Sequence, residues 1–240
     1  MKVVILVPRR ADNGRRDTLW AFTKAWLTEN HPTWRIIEGD STADEGPFNR
    51  GLAINRAAAK AGKWDVAIVH DGDNIVHPAK LKAAVTLAHT SQHMTFAHDT
   101  YMYLDRESSD AMLAEDAWFP RPQIDNVRTG YAPYIIHKHI SGVQAVPRAV
   151  WDATGGFVEE LRGWGSDDSM FAVLCNVFGG GVQWVPGTCL HLWHEHTPSD
   201  TARVDVRRNR EHLARAKRFE RAQHPDQLRD YLATVGHLVP

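Results

Sequence analysis

Cysteine is scarce. Only Cys175 and Cys189 occur in 240 residues, with no CxxC pair, so no disulfide framework is expected and a reduced, cytosolic setting is the simpler reading. Long apolar runs are missing too. No segment approaches the length of a membrane span. The run at residues 3–7 is too short for a signal peptide and no small-residue cleavage site follows it, so membrane insertion is not expected. Neither charge sign is in excess. The formal net charge of −1 excludes a chain built as a whole to bind polyanions, and leaves any nucleic-acid affinity to a local patch. Glycine is absent from Pro8-Arg9-Arg10-Ala11-Asp12, the loop after the first apolar run. That counts against a nucleotidyltransferase, which needs a glycine-rich phosphate loop there. There is no internal repeat and no low-complexity tract.

What is present is ordinary for a soluble globular chain: 43% hydrophobic and 24% charged residues, enough for one substantial core. Apolar runs at 2–7, 34–38, 65–69 and 94–97 read as strands. Helical spacing at 17–30, 48–61 and 78–89 separates them, with Asp17 as an expected N-cap, Gly62 as a C-cap and Pro78 in a first turn. Strands alternating with helices predict an α/β fold with a mostly parallel sheet flanked by helices. The alternation breaks over 99–140, read as a long excursion carrying substrate contacts or a lid, with one short helical pattern at 108–115. A strand at 142–146, a helix at 167–178, short strands at 182–185 and 189–194, and two C-terminal helices at 199–222 and 226–235 complete the reading.

Three clusters carry the chemistry. Asp71-Gly72-Asp73 ends the apolar run Val66-Ala67-Ile68-Val69. The plain reading is an Asp-Gly turn, with Asn74-Ile75-Val76 starting a return strand. The functional reading places two carboxylates at the carboxyl edge of an α/β sheet, where ligands bind, with Gly72 letting a ligand approach the backbone. Such carboxylates suit Mn²⁺ or Mg²⁺. The second cluster is Gly163-Trp164-Gly165-Ser166-Asp167-Asp168. Acids in a first helical turn are usually dipole caps. Beside a tryptophan and two glycines, a carboxylate there also suits proton abstraction from a hydroxyl, with Trp164 stacking on a sugar face and Ser166 capping the helix. The third is His191-Leu192-Trp193-His194-Glu195-His196. Its HxxHxH spacing excludes an HExxH zinc site. It fits either a wet surface strand or imidazoles that complete a metal site with one Asp. Together the clusters predict a metal-dependent transferase acting on a nucleotide-sugar.

These blocks, in this order, resemble the β-1,4-galactosyltransferase family of GT-A-fold glycosyltransferases. The resemblance rests on Val7-Pro8-Arg9-Arg10, Phe48-Asn49-Arg50, Asp71-Gly72-Asp73, Ser141-Gly142-Val143-Gln144-Ala145, Gly155-Gly156-Phe157 and the Gly163–Asp168 block, and spans roughly residues 3 to 196. It implies a GT-A, Rossmann-like domain over 1–198, with a nucleotide-binding half at 1–98 and an acceptor and metal half at 99–198. Residues 199–240 would be C-terminal helices packed on that domain. Pro8, Arg9, Phe48 and Arg50 would line the nucleotide pocket, and Asp40 would recognise the base. Asp73 and His194 would bind metal, with His191 where the family has a ligand of another type. Asp71 would support the nucleotide or sugar. Trp164 would contact donor phosphates or acceptor, Asp167 acceptor hydroxyls, and Asp168 would be the general base. The Ser-Asp-Asp-Ser sequence departs from the family, which has a glycine and a longer acid run there.

The expected activity is inverting transfer of a hexose from a nucleoside diphosphate sugar, UDP-sugar favoured, to an acceptor hydroxyl, with no covalent intermediate. A retaining enzyme on the same fold and a noncatalytic sugar-binding module are the alternatives. The acceptor is expected to be a glycan. A modified base in DNA is the alternative raised by the arginines of residues 203–221, whose plain reading is a solvated helix face. Without an anchor or disulfides, a bacterial or viral cytoplasmic enzyme is expected.

Overall fold

The computed structural model describes residues 1–41, 47–114, 135–195 and 203–240. A six-stranded sheet runs in the order β2 (Arg35–Gly39), β1 (Val3–Pro8), β3 (Val66–His70), β8 (Val143–Pro147), β5 (Met94–Phe96), β9 (Val182–Trp184). All neighbours pair in parallel except at β8, which runs antiparallel to both β3 and β5. The mostly parallel prediction therefore holds with one reversed strand.

The continuous apolar runs follow from burial on both faces. Along β1, Val3, Ile5 and Val7 face one core, shared with α1 (Arg15–Asn30) and α3 (Pro78–Ser91). The alternate residues Val4 and Leu6 face the other, shared with α2 (Arg50–Ala61), α5 (Arg148–Thr154) and α6 (Asp167–Phe178). A third core lies on the outer side of α6, where Met170, Val173 and Leu174 meet Ala216 of α7 (Arg203–Ala222) and Leu228, Tyr231 and Leu232 of α8 (Pro225–Thr234). This explains why α6 is apolar nearly all round. The β2–α2 packing is so close that a Cβ at Gly39 would sit 1.8 Å from the Ala53 carbonyl oxygen.

Two of the expected short strands, the return strand at 74–76 and the one beginning at 189, enter a second, four-stranded sheet that the strand–helix alternation does not predict. Its order is β4 (Asn74–Val76), β10 (Thr188–His191), β6 (Thr100–Tyr103), β7 (Ile135–His137). Part of the expected excursion is thus regular structure: β6, α4 (Arg106–Ala114) and β7 lie within it, while 115–134 fall outside the described residues. Two predicted caps need correcting. Asp17 lies inside the first turn of α1, after Gly14, and its carboxylate accepts from the Asn13 amide at 2.8 Å. Ser166 holds the N-cap position of α6 at φ 75° but makes no side-chain cap bond. The start expected at Phe48 shifts to Arg50, because the Asn49 side chain accepts from the Leu52 amide and caps the helix.

Three buried imidazoles set a pH limit on this fold. Burial lowers the pKa of His31 and His70 to about 4 and of His98 to about 3. Each folded-state value lies below the unfolded value near 6.5, so the unfolded chain binds more protons between them. Stability is therefore present above pH 6.5 and lost as pH falls toward 4. Each group adds a slope of at most about 1.4 kcal/mol per pH unit. Urea denaturation between pH 7 and 4.5 is expected to show a steep fall that replacing His31 with Gln flattens by one group's share.

Candidate active site

The turn after β3 joins the two sheets. The Asp71 amide donates to the Gly142 carbonyl at 3.0 Å, and the His70 Nδ1–H donates to the Asp71 carbonyl at 2.8 Å. Asn74 then enters β4, its Oδ1 accepting from the Tyr101 hydroxyl at 2.9 Å. So Asp71-Gly72-Asp73 is both an Asp-Gly turn with a return strand and a carboxylate-bearing sheet edge. Gly72 lies against Trp20, whose ring a Cβ would meet at 3.4 Å.

The second sheet delivers the histidines. In β10 His191 pairs with Asn74, and just beyond it the Leu192 amide donates to the Asp73 carbonyl at 2.8 Å. His194 Nε2 then lies 3.1 Å and His191 Nε2 3.8 Å from Asp73 Oδ2. These ligand atoms all fall within 4.8 Å of one another, the spacing of a metal site. The donor set fits a borderline cation such as Mn²⁺ better than the all-oxygen preference of Mg²⁺. His194 Nδ1–H also donates to the Glu195 carbonyl at 3.0 Å, which aims Nε2 at the site. Burial would raise the pKa of Asp73, but His191 and His194 hold it well below the usual carboxylate range. Burial works against a charged His194, yet the hydrogen bond and charge of Asp73 outweigh it and raise its pKa. His196 lies outside the described residues.

Arg50, in the first turn of α2, joins the two acidic clusters. Its Nε and Nη2 donate to Asp71 Oδ1 at 3.0 and 2.8 Å, and its Nη1 to Asp167 Oδ2 at 2.8 Å and Asp168 Oδ1 at 2.9 Å. Asp168 Oδ1 also accepts from Gln144 Nε2 at 2.6 Å. One guanidinium thus faces three carboxylates away from water. Burial, together with the neighbouring acids, raises both Asp71 and Asp168 above the usual carboxylate range in spite of Arg50. These groups titrate together, because one positive charge cannot balance three buried negative ones.

The remaining predicted residues fall around this hub. Gly163 donates its amide to the Phe48 carbonyl at 3.1 Å, bringing the Gly-Trp-Gly loop beside the Phe-Asn-Arg segment, and Trp164 is 52% exposed. Pro8 ends β1 opposite Gly39. Arg9 is turned into an ion-pair group with Asp17 at 2.5 Å and Glu38 at 3.0 Å, and it is Arg10 whose guanidinium lies over the Phe48 ring, 5.3 Å from its centroid. Asp40 follows β2 at the surface, its carbonyl accepting from Arg56 at 3.0 Å.

The motifs give no site role to Gln144 or Asn49. The signal for Gln144 is a polar side chain inside an apolar strand, Val143–Pro147, where it is fully buried. For Asn49 it is a helix-capping residue directly before Arg50. Its Nδ2 also donates to the Glu159 carbonyl at 2.7 Å, tying α2 to the chain that leads into Trp164. In the basic run, Arg208 pairs with Glu160 and Arg215 packs over Tyr231, so part of that charge is used within the fold. Among the described residues no helix is long and apolar enough to cross a membrane.

Comparison with known proteins gives the family and the fold. A family model described as "Glycosyltransferase like family 2" matches residues 2–214. No curated protein matches significantly. The catalytic domain of Drosophila β1,4-galactosyltransferase 7, solved with xylobiose, superposes with a TM-score of 0.55 at 20% identity, covering 87% of this chain and 79% of that one. A mutant of the same Drosophila enzyme, solved with manganese, UDP-Gal and xylobiose, gives a TM-score of 0.54 at 18% identity over 85% of this chain and 76% of that one. Glucosyl-3-phosphoglycerate synthase from Mycobacterium tuberculosis, with Mn²⁺, UDP-glucose and phosphoglyceric acid, gives 0.51 at 12% identity over 91% of this chain and 79% of that one. At these identities the structures speak for the fold, which is the GT-A fold expected from the motifs. Since the family model spans most of the sequence, the chain belongs to the family-2-like glycosyltransferases and is a glycosyltransferase of the GT-A fold.

Proposed function

We propose that this glycosyltransferase is an inverting, metal-dependent hexosyltransferase that uses a UDP-sugar. The observation that carries the reading is Arg50, which draws Asp71 of the metal-side turn and Asp167 and Asp168 at the start of α6 into one buried cluster, next to an Asp73, His191, His194 donor set. Those three residues would hold Mn²⁺, whose charge would offset that of a departing diphosphate. The solved relatives with UDP-sugar and Mn²⁺ support the same choice of donor and ion.

Asp168 takes the proton of the acceptor hydroxyl. The hydroxyl oxygen attacks the anomeric carbon as the bond to the diphosphate breaks on the opposite face. Arg50 and Gln144 hold Asp168 Oδ1, which orients the carboxylate. Its raised pKa brings its basicity nearer to working pH, where a general base is most effective. Asp167 binds an acceptor hydroxyl, and Asp71 supports the nucleotide or sugar. Phe48, Pro8 and Asp40 lie along the nucleotide side, with Arg10 supplying the cation over Phe48. Nothing among the described residues favours DNA as the acceptor.

Calorimetric titration with UDP, UDP-galactose and UDP-glucose, with and without Mn²⁺, tests this reading. Wild type is expected to bind a uridine nucleotide only with Mn²⁺, and Asp73→Ala to weaken that binding at least about 100-fold. Binding that ignores the metal, or survives the substitution, would remove the donor site from this turn.

A further inference from the structure

We propose that Asn209, on α7 outside the two sheets, is a positioning residue that sets the Trp164 loop and through it the acids of α6. The proposal rests on the reading of Trp164 as a side chain that meets the donor phosphates.

Asn209 is 1% exposed. Its Nδ2 donates to the Arg162 carbonyl at 2.9 Å and to the Gly165 carbonyl at 3.1 Å, so one amide group clasps the backbone on both sides of Gly163-Trp164. The preceding residue adds a second tie: Arg208 Nη2 donates to the Glu160 carbonyl at 3.0 Å and pairs with the Glu160 carboxylate. On its other side the loop is held by the Gly163 amide on Phe48. Trp164 itself is half exposed.

The backbone needs such help. Gly163, Gly165 and Ser166 all have positive φ, at 72°, 91° and 75°. For Ser166 this left-handed conformation is unfavourable, and it persists only when surrounding contacts impose it. The next residues are Asp167 and Asp168, both bound to Arg50. A shift at Gly165 therefore moves Trp164 and also the first turn of α6. Because α7 is anchored through Ala216 against α8, the clasp is attached to packed structure and not to another loop.

The test uses Asn209→Leu and the milder Asn209→Ser, each also combined with Trp164→Ala, with UDP plus Mn²⁺ as the probe. Hydrogen exchange at 163–168 is expected to quicken about 10-fold or more while β1 and β3 keep wild-type protection. UDP affinity is expected to fall about 5- to 10-fold in the wild-type background and clearly less when Trp164 is already Ala, since coupled residues are not additive. A uniform rise in exchange, or an equal loss of affinity with and without Trp164, would overturn the proposal and leave Asn209 a stabilising residue only. If Trp164→Ala alone leaves UDP affinity unchanged, the functional half of the proposal falls. Wild type that binds no UDP with Mn²⁺ would instead sink the donor-site reading, and the exchange data would still decide whether Asn209 clasps the loop.

Discussion

Asp168→Asn is expected to lower UDP release from a UDP-sugar by about 1,000-fold while leaving Mn²⁺-dependent UDP affinity within a few-fold of wild type. The substitution nearly preserves shape, and its side-chain oxygen can still accept from Arg50 and Gln144 as Asp168 Oδ1 does. What it loses is the ability to take a proton. A coupled assay for UDP, with water as acceptor, reads the effect. In wild type the same assay is expected to show activity falling as pH drops through the raised pKa of Asp168, above the range of an ordinary carboxylate. Burial is the first cause of that rise and the Asp167 charge adds to it, against the opposing pull of Arg50. Turnover of the Asn variant at wild-type rate would show that another group accepts the proton.

Arg50→Met is expected to abolish transfer and also to destabilise the fold by about 3–5 kcal/mol at pH 8. Removing the guanidinium leaves Asp71, Asp167 and Asp168 facing one another with no counter-charge, and their side chains are only 21%, 13% and 11% exposed. Stranded carboxylates relieve the penalty by protonation, so the already raised pKa values of Asp71 and Asp168 should rise further in the variant. Its deficit relative to wild type should then shrink as pH falls to 5. Arg50→Lys should lie between the two, because one ammonium cannot reach three carboxylates as the guanidinium fork does. Urea denaturation of the three proteins at pH 8 and pH 5 measures this. An Arg50→Met deficit of the same size at both pH values would mean that loss of packing, not stranded charge, is what destabilises it.

The strands buried on both faces are readable because their runs show no polar alternation: Val3–Pro8 and Val66–His70 are apolar at nearly every position. The helices of the first half are readable from spacing and from Gly62 and Pro78. The second sheet is readable only in part: strands are read at 74–76 and 189–194, but β6, β7 and the pairing of all four are not. β4 and β7 have three residues each and β6 and β10 four, too few to show a period. Their stability comes from pairing across the chain, as when Cys189 meets Val76 and Tyr101. The role of Asn209 is hidden for a related reason. In sequence it is one polar residue in a strongly charged helix, and only burial of that helix face against the loop distinguishes it.

By itself, the sequence determined the kinds of chemistry available. It placed acids at the end of a buried strand and at the start of an apolar helix, histidines in a third segment, and too little cysteine for a disulfide framework. These are properties of residue type and local order. Only the tertiary structure decided which groups share a site. The register of β10 against β4 brings His191 and His194 to Asp73, and the approach of α2 to α6 lets Arg50 reach acids 117 and 118 residues away. Charge coupling and metal geometry depend on separations of a few ångströms, and those distances exist only once the two sheets and the helices around them have packed.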